Sequence, residues 1–325
     1  MKKYFILAAA AITLVACNQK EMENDGVQEP KVINLTASIN SGEDVTRAQS
    51  GTALQDQQFV AGQPIYVEAY EYSSTGAPYT TGTYTTTDDP NPGTLSGSLY
   101  YPANDNSVYI HAYYPSSLNR AVTNFTVSND QSSAVGYRAS DAMYSVNVTN
   151  KAADQTVPGA LIFNHALTKI VVNVTLGAGM STEGLSTQPT VTNVTIKSTI
   201  RKALFDNTEG IITDGVLTAS ADGTEQASDI NITGTGLDNA GIIVPQTVTA
   251  GAEGAEFIAV TYNSHTYTYK LPANTTTTFQ AGKVYTYNLT LNADRLELTV
   301  TRITNWNQYD EDGETVLGGS GSFTL

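Results

Sequence analysis

The sequence is poor in charge and in the long side chains that favour helices. Charged residues make up only 14% of the 325 residues, and 4 Met stand against 19 Tyr. Thr, Asn, Ser, Gly and Tyr fill the positions that charged residues usually occupy. After the N-terminus, no window repeats apolar residues at helical spacing. Because tyrosine and threonine favour strands, this composition predicts an all-β protein.

Basic residues are scarce and scattered. Lys and Arg together number 16 against 31 Asp and Glu, which gives a net charge of -15 and a pI near 4.4. A surface that binds phosphate groups needs clustered Lys and Arg. The sequence therefore predicts neither nucleic acid nor anionic lipid as a binding partner.

Cysteine is almost absent, and the single Cys17 leaves no disulfide within the chain. It follows two lysines and an apolar run over 4–15 that is short for a membrane span, which predicts a secretory signal peptide at 1–16. Leu14–Cys17 resembles a bacterial lipobox, and that resemblance implies cleavage before Cys17 and lipidation of its thiol and amine. The alternative is a chance cysteine after an ordinary signal peptide. Residues 17–31 are acidic and without periodicity, so they are predicted to form a flexible tether.

Patterns of catalytic and metal-binding residues are also missing. His111, His165 and His265 lie in strand-like patterns, and none has a second histidine at metal-ligand spacing. The acidic turn YDEDGET at 309–315 lacks the regular oxygen spacing of an EF-hand. No Ser-His-Asp or G-x-S-x-G arrangement stands out. We therefore expect no catalytic residue, no metal site and no cofactor, and the protein is not predicted to be an enzyme.

The sequence is rich in period-two alternation, most clearly over Leu161–Gly177. One face of this stretch carries Ile170, Val172, Val174 and Leu176. Such alternation is typical of a strand with one buried face. Before it, a short apolar run ends at Asn164–His165, where we expect the chain to bend between two pieces of sheet. This stretch is taken as the start of a second domain.

A second well-formed strand is predicted at Val32–Asn40. Its apolar face carries Ile33, Leu35, Ala37 and Ile39. Further candidate strands lie at 65–70, 108–113, 143–148, 191–200, 215–220, 229–233, 241–245, 256–262, 266–271, 284–291 and 296–303, with 79–87 as a loop or edge hairpin. This density of short strands predicts a β-sandwich in each half. At roughly 150 residues per domain, we expect an N-terminal domain at 32–159 and a C-terminal domain with its tail at 160–325.

Five motifs, in this order, resemble the fimbrillin family of Bacteroides-type bacteria. They are TRA at 46–48, VYIHAYYP at 108–115, FNHALTKI at 163–170, FQAGKVYTY at 279–287 and ITNW at 303–306. The resemblance spans almost the whole mature chain. It implies two transthyretin-like Greek-key β-sandwich domains in tandem, export as an outer-membrane lipoprotein, and assembly with other pilin subunits into fimbriae by strand exchange.

The resemblance also implies a role for the first strand. A trypsin-like, Arg-specific protease would cut between Arg47 and Ala48, which would displace the strand that carries Ile33, Leu35, Ala37 and Ile39. A strand from another subunit would then take its place. Candidate donor residues in the C-terminal tail are Val316, Leu317, Phe323 and Leu325, although Gly318–Gly321 interrupts their alternation. The alternative is that Arg47 is only a surface loop residue.

Three functions of different classes are consistent with the sequence. The first is a structural subunit of a surface fimbria, with other pilin subunits, the outer membrane and a host or bacterial surface receptor as partners. The second is a surface glycan-binding lipoprotein, which the signal, the acidity and the tyrosine content also allow. The single Trp306 argues mildly against this second function. A hydrolase is the third.

Overall fold

A computed structural model shows how these patterns fold. It describes residues 29–40, 55, 58–72, 76–87, 93–119, 124–154, 157–177, 180, 191–205, 217–219, 227–234, 239–307 and 321–323. Within these residues the chain forms 21 strands and one short helix. The prediction of an all-β protein is thus confirmed. The described part of the chain contains no helix with the length and apolar character that crossing a membrane requires.

The first half of the chain builds a closed barrel. Its elements in chain order are β1 Leu35–Ile39, β2 Pro64–Tyr70, β3 Thr80–Thr86, β4 Gly93–Ser96, β5 Val108–Tyr114, β6 Asn124–Thr126, α1 Ala134–Ser140, β7 Met143–Lys151 and β8 Gly159–His165. Seven of the strands pair in the order β1-β4-β3-β2-β5-β7-β8, and β8 returns to β1. The segment read as a loop or edge hairpin at 79–87 contains β3, a full member of this barrel.

Alternate side chains of the barrel strands fill its interior. On β2 these are Ile65, Val67 and Ala69, and on β5 they include Ile110 and Ala112, all fully buried. They pack in one hydrophobic core with the apolar residues of β1 and β8. This arrangement follows from the period of two, which places every second side chain on the same face of a strand.

The second half of the chain forms further sheets. Its strands are β9 Thr168–Leu176, β10 Val191–Thr199, β11 Lys202–Phe205, β12 Leu217–Ala219, β13 Ser228–Asn231, β14 Ala240–Ile243, β15 Gln246–Thr249, β16 Ala255–Tyr262, β17 His265–Leu271, β18 Thr276–Phe279, β19 Lys283–Leu291, β20 Leu296–Asn305 and β21 Gly321–Phe323. They pair as β13-β10-β16-β17, β14-β9-β19-β20-β21, β15-β18 and β12-β11-β6. Inward side chains of the two larger sheets share a second hydrophobic core. The predicted hairpin at Asn263–Ser264 joins β16 to β17, with φ of 48° and 65° at the two turn residues.

The chain passes from the barrel to the second set of strands at Ala166–Leu167. β8 includes Asn164 and His165, where a bend was expected, and β9 begins at Thr168. Strand pairing therefore places the change of sheet a little after the expected boundary at residues 159 and 160. Leu176 was expected on the buried face of β9, but it is 43% exposed because it lies at the last residue of that strand. The division into two transthyretin-like domains stays a prediction.

A segment between β5 and β7 leaves the barrel and joins the second core. Phe125, Val127 and Tyr137 are buried in that core, and β6 pairs with β11. The buried side-chain amide of Gln131 accepts from Ile242 N at 2.7 Å and donates to Ile242 O at 2.8 Å. The expected N-terminal domain at 32–159 thus contains residues that complete the core of the second half.

Candidate functional site

The first strand closes the barrel. β1 pairs antiparallel with β4 through Thr36 and Ala37. It pairs parallel with β8 from Leu35, opposite Gly159, to Ile39, opposite Phe163. Both edges of β1 are therefore occupied, and it is an interior strand of the sheet. Its removal would leave β4 and β8 with unpaired edges.

The apolar face of the strand lies in the barrel core. Ile33, Leu35, Ala37 and Ile39 are each at most 6% exposed. Burying a large aliphatic side chain contributes about 1.5–3 kcal/mol, so the three large members together contribute about 5–9 kcal/mol. The whole stability of a domain is typically about 5–15 kcal/mol. A barrel that lost this strand without replacement would therefore lose a large part of its stability.

Tyr84 on β3 holds the start of this strand from across the barrel. Its hydroxyl donates to Ile33 O at 2.7 Å and accepts from Leu99 N at 3.3 Å, while Ile33 N donates to Leu99 O at 2.8 Å. Burial raises the pKa of Tyr84 to about 12, so the hydroxyl keeps its proton at neutral pH. A Cβ at Gly97 would lie 2.3 Å from the Tyr84 ring, so only glycine fits there. Sequence reasoning missed Tyr84, although it is the one aromatic residue in the alternating stretch TTGTYTT.

Main-chain bonds extend the strand beyond β1 at its N-terminal side. Tyr101 N donates to Lys31 O at 2.9 Å, and Gly159 N donates to Asn34 O at 2.9 Å. The Lys31 ammonium pairs with the Asp105 carboxylate. Lys31, the last residue of the expected tether, is thus already fixed to the fold.

Asn40 fixes the other end of the strand. The alternation put it on the polar face, but it is buried. Its main-chain N donates to Phe163 O at 2.8 Å, and its side-chain Nδ2 donates to Asn164 Oδ1 at 2.6 Å. These bonds satisfy the main-chain N–H and the side-chain Nδ2 of Asn40 inside the protein, as buried polar groups require.

Several predicted site residues lie outside the described residues. These are Cys17, Arg47, Ala48, Val316, Leu317 and Leu325. Phe323 belongs to β21, which pairs antiparallel with β20 and places Phe323 opposite Thr301. The structure therefore describes the slot that β1 fills, but not the loop that carries the predicted cleavage site.

The three histidines occupy different environments. His111 and His165 are buried, and His265 is exposed. His165 Nδ1 lies 2.8 Å from Asp141 Oδ1, and the ring stacks on the Trp306 indole with centroids 3.8 Å apart and planes 8° apart. Among the described residues, no group of three His, Cys, Asp or Glu is arranged to hold a metal ion.

The aromatic residues bear on the glycan-binding alternative. Trp306 is buried against His165, so it offers no flat surface to a sugar. Among the described aromatic residues, Tyr72, Tyr79 and Tyr100 are the exposed ones, and Tyr72 is 75% exposed. None of these observations favours glycan binding as a second candidate function.

Comparisons with known proteins agree with the fold. A family model described as fimbrillin-like matches residues 46–306. No curated protein sequence matches the chain.

Solved structures resemble the chain over most of its length. A candidate cell adhesion protein from Bacteroides uniformis aligns with a TM-score of 0.59 and 19% identity, covering 85% of this chain and 98% of that one. Another from Bacteroides ovatus also aligns with a TM-score of 0.59 and 19% identity, covering 87% of this chain and 100% of that one. At this level of identity, the likeness establishes the fold alone.

Proposed function

Because the chain belongs to the fimbrillin-like family, we propose that it is a structural subunit of a surface fimbria, assembled with other pilin subunits by donor-strand exchange. The observation that carries the proposal is the position of β1, which closes the barrel between β4 and β8. A strand from another subunit with a similar apolar face would restore both ladders and the core. The fimbria contributes to adhesion, in keeping with the fold that the chain shares with candidate cell adhesion proteins.

The proposed trigger is a cut between Arg47 and Ala48 by an Arg-specific protease. This bond lies in the connection between β1 and β2, so the cut separates β1 from the rest of the barrel. The family match begins at residue 46, which leaves β1 outside the matched part. Once β1 leaves, the unpaired edges of β4 and β8 form a template for an added strand.

Export and anchoring rest on the N-terminal sequence. The signal peptide at 1–16 and lipidation of Cys17 would place the protein at the outer membrane, exposed at the cell surface. More than one acyl chain on one residue gives stable anchoring. The acidic tether at 17–31 then joins the lipid to Lys31, which is bonded to Tyr101 and Asp105.

The proposed donor is a C-terminal tail that contains Val316, Leu317, Phe323 and Leu325. β21 in this tail pairs with β20, so part of the tail adopts the extended form that a donor strand needs. If the tail of this chain does not donate, the subunit would occupy the tip of the fimbria, since a tip subunit only accepts a strand.

Replacing Arg47 by Lys tests the proposal, because the substitution keeps the positive charge but removes the Arg-specific cleavage site. After treatment with an Arg-specific protease, we expect the unmodified exported protein to lose residues 17–47 and to polymerise. We expect Arg47→Lys to stay monomeric with the strand attached. Mass spectrometry would identify the N-terminal residue before and after treatment, together with the lipid on Cys17.

Arg120→Lys is the matched control, and we expect it to be cut and to polymerise like the unmodified chain. Equal polymer from Arg47→Lys and from the unmodified chain would reject cleavage at Arg47 as the trigger. An unmodified chain that is cut and loses residues 17–47, but accepts no strand from any pilin, would reject strand exchange.

A further inference from the structure

A cavity lies among the strands of the second half of the chain. Its volume is about 310 Å³, and eleven residues from β17, β18, β19, β20 and the turn between β17 and β18 line it. None of the barrel strands contributes to its wall. A space of this size is at the lower end of the range that small-molecule sites occupy.

The cavity lies where the sheets of the second half end. In the described part of the chain, β17 has one paired neighbour, β16, and β18 has one, β15. No described strand therefore continues either sheet on this side. Side chains of β17 and β18, together with those of β19 and β20, enclose the space that remains.

Every residue that lines the cavity is uncharged. Much of the wall is apolar and includes Leu271, Ile303 and the rings of Tyr269 and Tyr287, whose centroids lie 5.9 Å apart. Burial raises the pKa of Tyr269 and of Tyr287, so both phenols keep their protons at neutral pH. A charged ligand would find no opposite charge in this wall to offset the loss of its water.

One polar group in the wall has no partner. Tyr269 is only 8% exposed, and its hydroxyl is buried without a hydrogen bond to any described residue. Buried hydroxyl groups in folded proteins normally have a partner, because an unpaired donor loses its bond to water and gains nothing in return. The Tyr269 hydroxyl is thus a donor without an acceptor, at the wall of a cavity.

Other polar groups of the wall are already paired within the protein. The Tyr285 hydroxyl donates to Thr278 O at 2.9 Å and accepts from Gln280 N at 3.1 Å. Thr275 Oγ1 donates to Pro272 O at 2.7 Å. The unpaired phenol is therefore an exception in this wall, and a ligand with an acceptor would satisfy it.

We propose that the cavity binds a neutral, mainly apolar small molecule with an acceptor oxygen, such as a carbonyl, which accepts the hydrogen bond of the Tyr269 hydroxyl. The apolar body of the ligand packs against Leu271, Ile303 and the Tyr287 ring. The ligand supplies the acceptor because a phenol that keeps its proton is a donor. The site needs neither cleavage nor strand exchange, so it can be tested independently of the proposed function.

Tyr269→Phe tests this assignment with two probes of nearly the same shape. Acetophenone has a carbonyl oxygen, and α-methylstyrene has a methylene group in its place. Titration of the uncut full chain with each probe, followed by the amide chemical shifts of residues 269–278, gives both dissociation constants. We expect Tyr269→Phe to weaken acetophenone binding about fivefold, as the loss of one hydrogen bond would. We expect α-methylstyrene binding to stay unchanged.

Two further measurements separate this role from a structural one. We expect Tyr269→Phe to keep or raise the urea midpoint of unfolding, because the hydroxyl that it removes has no partner in the protein. Tyr267→Phe is the matched control, since it makes the same change two residues earlier on β17, outside the cavity wall. It should alter neither dissociation constant. Equal changes for both probes in Tyr269→Phe, or the same selective change in Tyr267→Phe, would reject the hydrogen bond.

Benzoate and Thr277→Phe test the charge of the ligand and the location of the site. We expect benzoate to leave the shifts of residues 269–278 unchanged, because no cation lines the cavity. Thr277 lines the cavity from β18, so a ring at this position should fill the space and abolish binding of both neutral probes. Benzoate that binds as tightly as acetophenone would overturn the neutral class. Failure of both neutral probes to bind, or binding that Thr277→Phe leaves intact, would reject the site.

Discussion

At the scale of single residues, Tyr84 is the side chain that ties β3 to the first strand. Its hydroxyl donates to Ile33 O at 2.7 Å and accepts from Leu99 N at 3.3 Å. The ring is buried and fits against Gly97, where any side chain would collide with it. A single phenol therefore bonds both the first strand, at Ile33, and the segment that follows β4, at Leu99.

We expect Tyr84→Phe to lower the free energy of unfolding by about 1–3 kcal/mol, because it leaves two buried main-chain groups without the hydroxyl. Urea unfolding followed by circular dichroism would measure the change. Tyr72→Phe is the control, since Tyr72 is exposed and its loss should change stability by less than about 0.5 kcal/mol. Equal effects of the two substitutions would mean that the Tyr84 hydroxyl does not hold the strand.

At several points, the side-chain amide of a Gln or Asn bonds both the main-chain N–H and the C=O of one residue, as a neighbouring strand would. Gln131 bonds both main-chain groups of Ile242, and Asn307 bonds both main-chain groups of His165. Gln246 likewise accepts from Ile200 N at 3.1 Å and donates to Ile200 O at 3.2 Å. An amide carries one acceptor and one donor side by side, so it can satisfy a peptide group at a strand edge.

At the scale of elements, β1 is a short strand with a neighbouring strand along each of its two edges. It has five residues, and both its edges are paired. Its contribution to stability comes mainly from the burial of its apolar face. Any replacement strand must therefore carry apolar residues at alternate positions, since main-chain bonds alone would leave the core open.

We expect Leu35→Ala to lower the free energy of unfolding by about 2–5 kcal/mol, because it leaves a cavity in the barrel core. Leu176→Ala is the control on another strand, and we expect less than about 1 kcal/mol because Leu176 is exposed. Urea unfolding of the uncut chain would measure both. A small effect of Leu35→Ala would show that β1 contributes little to the barrel, contrary to its burial.

At the scale of the whole molecule, the two cores are not separated along the chain. Phe125, Val127 and Gln131 belong to the half of the sequence that builds the barrel, yet they lie with the second core or bond to its strands. The point at which the chain changes sheet, Ala166–Leu167, comes well after them. The segment between β5 and β7 thus belongs to the first half by sequence and to the second core by packing.

We expect Gln131→Leu to lower the free energy of unfolding by about 2–6 kcal/mol, because Ile242 N–H and C=O would both lose their partner in a buried site. Amide exchange at Ile242 would show the local effect, and urea unfolding would show the total. Gln280→Leu is the control, since Gln280 is exposed. If amide exchange at Ile242 were the same in both variants, Gln131 would not seal the edge of β14.

The sequence by itself determined where most of the longer strands lie and, for the first strand, which face carries the buried apolar residues. The alternation of Ile33, Leu35, Ala37 and Ile39 placed all four on the core side, because side chains point to opposite faces with a strict period of two. The hairpin at Asn263–Ser264 was also predictable, since turn residues with positive φ act locally. The ordered motifs indicated the family to which the chain belongs.

Only the tertiary structure decided which strands are neighbours. Alternation gives the buried face of β1, but not its position between β4 and β8, because pairing joins residues far apart in the chain. For the same reason, the partners of Tyr84, Asn40 and Gln131 could not be predicted. Each of these polar side chains bonds a main-chain group more than 50 positions away, or a side chain as distant. A local pattern determines which way a side chain faces, and the packing of the whole chain determines what it meets.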